Sequence, residues 1–226
     1  MPPSDPHADQ PVLASGTPLG DAHAAVVLLH GRGASAQNIL MLASEFGRGD
    51  LAYLAPQAAG SSWYPYSFLA PLSQNEPKLS SALQVVGRML DELEAGGVPP
   101  EHVVLAGFSQ GACLASEYVA RNTRRYGGVA VLSGGLIGRE QLRGADPPAD
   151  KRLDYEGDLA GTPVFLGCSD VDPHIPLVRV EDSADALGRL GAEVTLQVYP
   201  GMGHTVNDDK IEYVRRLLNR LHPTVH

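Results

Sequence analysis

Val103-Val104-Leu105-Ala106-Gly107-Phe108-Ser109-Gln110-Gly111-Ala112 decides how this chain is read. A short, continuous apolar run stops at a glycine, and a serine follows two residues later. A second glycine comes two residues after that, and small residues then open a helix-like stretch. Strand, sharp turn, helix is the expected order. A serine hydroxyl is a poor nucleophile unless a base reaches it and the backbone presents it without crowding. A G-x-S-x-G bend does this, because its glycines permit a tight, strained turn that lifts the hydroxyl above the sheet edge. The amide of Gln110, opening the following helix, is then expected to point at a carbonyl under attack.

The same alternation runs outward from this stretch. Strand-like blocks are expected at 24–30, 51–55, 102–108, 128–133, 163–167 and 194–199. Most are continuous apolar runs, as suits strands covered on both faces, whereas Val194, Leu196 and Val198 alternate and suggest a strand nearer an edge. Helical spacing appears in Leu79, Leu83, Val86, Leu90 and Leu93, closed by Gly96-Gly97 and Pro99-Pro100. It recurs in Leu177, Val180, Ala184, Leu187 and Leu190, in Ile211, Val214, Leu217 and Leu221, in 110–125 and, more faintly, in 36–48. Strands alternating with helices predict an α/β three-layer sandwich with a mainly parallel sheet and helices on both faces. Residues 138–162, polar and rich in Pro and Gly, read as a long surface excursion. The chain leaves no room for a large cap domain.

Bulk properties narrow the function. At 226 residues one domain is expected, spanning 21–226 after a flexible, Pro-rich segment at 1–20. A formal net charge of -9 without a basic stripe argues against nucleic acid and against an anionic membrane surface. The two cysteines, Cys113 and Cys168, make no disulfide framework, and no zinc-like Cys/His spacing occurs. No signal peptide is visible, and the apolar runs are too short to span a bilayer. A cytoplasmic protein without membrane insertion, metal or organic cofactor is expected; its oligomeric state is not legible.

Where a G-x-S-x-G turn joins strand to helix in this way, the acid and the base usually follow the serine, in loops after later strands. Gly167-Cys168-Ser169-Asp170-Val171-Asp172-Pro173-His174-Ile175-Pro176 closes one candidate strand, and Gly201-Met202-Gly203-His204 follows the last one. Asp172 is favoured as the acid because the following proline biases its backbone toward extended geometry. Asp170 is its rival and a candidate brace for the loop. His204 is the expected base, since the glycines beside Met202 suit a bend back across the sheet edge. His174 is a candidate for lining the site. Trp63, Tyr64, Tyr66 and Phe68 lie in a loop after a strand, either as an apolar substrate wall or as packing against the body.

Four motifs in order, His30-Gly31-Arg32-Gly33, Gly107-Phe108-Ser109-Gln110-Gly111-Ala112, Asp170-Val171-Asp172-Pro173-His174-Ile175-Pro176 and Gly203-His204, resemble the phospholipase/carboxylesterase family over roughly residues 24–220. These are compact α/β-hydrolases that include the acyl-protein thioesterases. The resemblance implies Ser109 as nucleophile, Asp172 as acid and His204 as base. It also implies an oxyanion hole from the backbone amides of Arg32 and Gln110. Three departures favour a bacterial-type esterase branch. Ser62-Trp63-Tyr64 stands where the thioesterases usually carry Trp-Phe-Asp, Cys168-Ser169 where they carry histidine-glycine, and Arg32 where leucine is common. The expected activity is hydrolysis of small to medium apolar or aromatic carboxylic esters through an acyl-enzyme. Its alternatives are a thioesterase or lysophospholipase-type hydrolase, a dienelactone hydrolase-type enzyme, and a non-catalytic binding protein on the same fold. The Arg32 guanidinium is a candidate for an anionic substrate group or for a structural ion pair.

Overall fold

The computed structural model describes residues 5–138 and 153–221. Seven strands form one sheet: β1 Val12–Gly16, β2 Ala25–Leu29, β3 Ala52–Pro56, β4 Val103–Phe108, β5 Gly128–Leu132, β6 Pro163–Ser169 and β7 Glu193–Tyr199. Their spatial order is β1-β3-β2-β4-β5-β6-β7. Every neighbouring pair is parallel except β1 with β3. The helices are α1 Ala36–Leu40, α2 Leu42–Phe46, α3 Leu72–Asn75, α4 Lys78–Ala95, α5 Gln110–Arg121, α6 Leu177–Arg189 and α7 Asp208–Asn219.

The apolar runs become central strands because both of their faces are covered. In β2 all five residues are buried. Val27 and Leu29 belong to one core with Leu79 of α4, Ala112 of α5 and Val180 of α6. Val26 and Leu28 belong to a second core on the other side, with Ile39 of α1, Phe46 of α2 and Ile211 of α7. Successive side chains of one strand therefore feed two separate cores, which is the three-layer arrangement. β7 pairs only with β6 and carries the alternating pattern, as an edge strand should. Parallel order brings the C-terminal ends of β4, β6 and β7 to one edge, so the loops bearing Ser109, Asp172 and His204 emerge together.

Two expectations need correction. The sequence predicts a flexible segment over 1–20, but 12–16 pair antiparallel with the full length of β3, from Val12 opposite Pro56 to Gly16 opposite Ala52. Ahead of them His7 is buried. The sequence Val-Leu-Ala-Ser-Gly hides the strand because an outer strand exposed along its length needs no apolar run; main-chain pairing holds it. Gly16 then turns the chain at φ 75°, where an added Cβ would lie 2.3 Å from the Leu51 carbonyl oxygen. The surface excursion expected at 138–162 holds only in part. Residues 139–152 lie outside the described residues, while Leu153 and Leu159 are buried in the core beneath α4, α5 and α6.

Because Gly16 is needed both for its φ and for its missing Cβ, Gly16→Ala should cost about 1–3 kcal/mol of unfolding free energy, read by chemical denaturation. Unchanged stability would mean that β1 adds nothing to the sheet.

Candidate active site

Ser109 caps the N-terminus of α5 at φ 55°, ψ −118°, a backbone conformation that side-chain-bearing residues rarely adopt. Its amide donates to the Leu132 carbonyl at 3.0 Å and its carbonyl accepts from Cys113 at 3.0 Å, which fixes the bend from both sides. The glycines are required by contact. A Cβ at Gly107 would sit 2.4 Å from the Gly111 carbonyl carbon, and one at Gly111 would sit 2.1 Å from the Leu29 oxygen. Helix α5 can start where it does only because those two side chains are missing. The His30–Gly33 loop runs beside the bend, since a Cβ at Gly31 would lie 3.4 Å from the Ser109 Cβ.

His204 Nδ1 lies 2.7 Å from Asp172 Oδ2. A carboxylate only accepts, so Nδ1 carries the proton and Nε2 is left with its lone pair. The other Asp172 oxygen, Oδ1, accepts the amides of His174 at 2.9 Å and Ile175 at 3.0 Å. Burial raises the Asp172 carboxyl pKa, but the His204 hydrogen bond and these two amides outweigh it and hold the group below its usual value. Asp170 takes the bracing role: its Oδ1 accepts the Gly201 amide at 2.8 Å, tying the two loops together. Phe108 tilts against the His204 ring with centroids 4.8 Å apart, and His174 meets it edge-on at 5.0 Å.

A cavity of about 620 Å³ is lined by Ser109, His204, Gln110, Arg32, Tyr64 and His174, with Tyr66, Phe68, Phe108, Cys113 and Ile175 also on its wall. The amides of Arg32 and Gln110 donate to no group among the described residues. The Ser109 hydroxyl and His204 Nε2 likewise make no hydrogen bond there. Four hydrogen-bonding groups without partners thus belong to residues of one cavity. A larger groove of about 810 Å³ lies at the other end of α5. Its Arg88, Arg121 and Arg124 already pair with Asp5, Glu117 and Glu94.

Trp63, expected in the substrate wall, is fully buried and does not line the cavity. Its indole N–H donates to the His30 carbonyl at 2.9 Å, so the ring enters the interior with no polar atom stranded. The Arg32 guanidinium is occupied by that loop as well. It donates to Ser62 Oγ at 3.1 Å, to the Pro65 carbonyl at 2.8 Å and to the Tyr66 carbonyl at 2.5 Å. The buried Gln110 side chain takes the Trp63 amide at 2.9 Å and donates to the Tyr64 carbonyl at 2.8 Å. Phe108, Cys113 and Ile175 were not singled out from the sequence, though Phe108 and Ile175 stand inside motifs that were. Burial pushes the Cys113 thiol up to about 12, which leaves it protonated and inert. Among the described residues no group of His, Cys, Asp or Glu is placed to hold a metal ion. No described helix is long and apolar enough to cross a membrane.

Lys210 escaped sequence reading altogether. It is fully buried beside the histidine loop, donating to Ser133 Oγ at 2.9 Å and to the Thr205 carbonyl at 2.8 Å. Its ammonium lies 5.3 Å from the Tyr199 ring. Gly167 makes way for the stem, since a Cβ there would come within 3.3 Å of Lys210 Cε.

The phospholipase/carboxylesterase family profile matches residues 16–222, and the chain belongs to that family. A crystal structure of a phospholipase/carboxylesterase from Dyadobacter fermentans superposes with TM-score 0.85 at 44% identity, covering 93% of this chain and 97% of that one. SOBER1 from Arabidopsis thaliana shares the fold at TM-score 0.71 and 21% identity, over 88% of this chain and 99% of its own. Among curated relatives, acyl-protein thioesterase 1 of Gibberella zeae is 32% identical over 127 residues, which is 56% of this chain and 51% of that protein. A probable carboxylesterase of Arabidopsis thaliana, SOBER1-like, is 26% identical over 163 residues, 70% of this chain and 58% of that protein. The matched region thus spans about half to three-fifths of these curated relatives.

Burial lowers the Lys210 pKa from 10.5 to about 8, against the opposing pull of Cys168 and Asp172. The unfolded chain therefore holds this proton more tightly, and the cost to the fold is full below about pH 8 and vanishes above about 10.5. Relative to Lys210→Met, the unfolding free energy of the wild type should rise across that window. A constant difference between the two proteins would contradict the assignment.

Proposed function

We propose that the protein is a serine hydrolase that cleaves carboxylic esters of small to medium apolar or aromatic character through an acyl-enzyme. The observation that carries the reading is the 2.7 Å Asp172–His204 pair in the loops around one cavity, whose lining also includes Ser109 and the residues of two free amides. The mechanism follows from the hydrogen-bond inventory. In the reaction the Ser109 hydroxyl donates to His204 Nε2, a bond that resting active sites often leave long. His204 Nε2 takes the proton as Oγ attacks the carbonyl carbon, and Asp172 stabilises the resulting imidazolium. The oxyanion receives the amides of Arg32 and Gln110; each such donor is typically worth roughly 2.7–4 kcal/mol of barrier. Collapse breaks the carbonyl carbon–oxygen bond to the leaving alcohol, which picks up the proton from Nε2. Water then attacks the acyl carbon while Nε2 removes its proton, and Ser109 is restored as the acid departs.

The apolar preference comes from Tyr64, Tyr66, Phe68, Phe108 and Ile175 on the cavity wall. A thioester passes through the same steps with a thiol leaving, so oxygen and sulfur substrates differ in rate rather than in machinery. No metal or organic cofactor enters any step. The reading includes a cytoplasmic location, which the two buried free thiols of Cys113 and Cys168 suit.

Ser109→Ala should lower kcat for 4-nitrophenyl esters by about 10³-fold or more, and Asp172→Asn, which favours the wrong tautomer, by about 10³–10⁴-fold. Steady-state kinetics with the purified protein decides it. An Ser109→Ala variant as active as the wild type removes the proposal.

A further inference from the structure

Residues 5–10 lie ahead of the region matched by the family profile, yet they reach the loop that carries the cavity's aromatic wall. His7 is the contact. The Ala59 amide donates to its Nδ1 at 3.0 Å, so its Nε2 carries the proton and donates to the Trp63 carbonyl at 3.0 Å. The backbone amide of His7 donates to Ser81 Oγ on α4 at 3.0 Å. Asp5 accepts from Ser81 and from Arg88 of the same helix, the latter at 2.8 Å. A short strap is thereby anchored on α4 and inserts one neutral imidazole into the loop at residues 58–68.

Trp63 connects this strap to the cavity. Its carbonyl takes His7, its amide goes to the Gln110 side chain, and its indole ring is tilted against the rings of both His7 and His30, with centroids 5.6 and 5.1 Å away. The residues that follow it, Tyr64, Tyr66 and Phe68, line the cavity. The opposite side of the loop is held by the Arg32 guanidinium. Without His7 the Ala59 amide and the Trp63 carbonyl would lose their buried partner, and the outer side of the loop its anchor, while Arg32, Gln110 and Asn75 would still hold the rest.

We infer that His7 is a specificity-determining positioning residue: by holding Trp63 and Ala59 from outside the cavity, it sets the aromatic wall at Tyr64, Tyr66 and Phe68 for bulky apolar esters. This rests on the ester-hydrolase reading of the same site. His7 touches neither Ser109 nor His204, and small esters do not need the wall. Its loss therefore acts on the binding of large substrates and leaves the chemical step in place.

The test compares two esters in the full-length protein: 2-naphthyl hexanoate, apolar on both sides of the scissile bond, and ethyl acetate, small on both. His7→Leu keeps similar bulk without a polar atom, and His7→Gln keeps one donor and one acceptor. For His7→Leu, KM for the naphthyl ester should rise about tenfold with kcat within about twofold, while both constants for ethyl acetate move less than about twofold. His7→Gln should recover most of the lost KM. If His7→Leu melts below the assay temperature, Ser81→Ala, which removes the bond from the His7 amide to α4, is read in the same way. An equal loss on the two esters, a loss confined to kcat, or no change in a folded variant overturns the inference. A wild type that cleaves neither ester, or one matched by Ser109→Ala, overturns the hydrolase reading instead.

Discussion

The site depends on one close approach, that of the first turn of α5 to the end of β2. The backbone at Gly111 passes so near Leu29 that a single added methyl group would overlap its carbonyl oxygen at 2.1 Å. Gly107 and Gly111 lean on each other in the same way across the bend. This crossing forces the residue between them into the strained backbone conformation seen at Ser109. Strain of this kind, worth about 1–3 kcal/mol, persists only where the surroundings over-determine it. Here the Leu132 carbonyl, the Cys113 amide and the buried start of α5 do so. The bend thus turns packing energy from two cores into the fixed placement of one hydroxyl.

The second organising device is the loop at residues 58–68. It supplies the aromatic wall of the cavity, yet nearly every group that fixes it comes from elsewhere in the chain. Arg32 and Gln110, whose backbone amides are free beside Ser109, spend their side chains on its carbonyls and on the Trp63 amide. His30 takes the Ala58 amide on its Nε2 and receives the Trp63 indole on its carbonyl. His7 closes the outer side. Burial lowers the pKa of both imidazoles, so they serve as neutral connectors that each accept one backbone amide. Wall and proposed oxyanion donors are therefore parts of one hydrogen-bonded unit.

Much of this was legible in the sequence, for identifiable reasons. Continuous apolar runs mark strands buried on both faces, and parallel strands must end together, so residues just after β4, β6 and β7 had to share an edge. Chain order and strand direction thus already bring Ser109, Asp172 and His204 to one place. The preference for Asp172 over Asp170 follows the same local logic, and the structure gives Asp170 the brace to Gly201. What stayed hidden is non-local. Strand β1 has no apolar signature because it is exposed and held by main-chain pairing. Arg32 and Trp63 sit in exposed-looking loop sequence, and only the fold shows that their partners are backbone carbonyls far along the chain. Lys210 reads as an ordinary charge near the start of an amphipathic helix, and nothing local reveals that Ser133 and Thr205 await its ammonium in the interior.

The central claim is that Ser109 attacks a carbonyl whose developing negative charge is met by two main-chain amides. A crystal structure of the covalent adduct with an alkyl fluorophosphonate tests this most directly, because the phosphonyl oxygen stands where the oxyanion forms. The account predicts phosphorus bonded to Ser109 Oγ, with that oxygen about 2.7–3.1 Å from the amide nitrogens of both Arg32 and Gln110. Phosphorus on another residue, or an oxygen directed away from both amides, would contradict it.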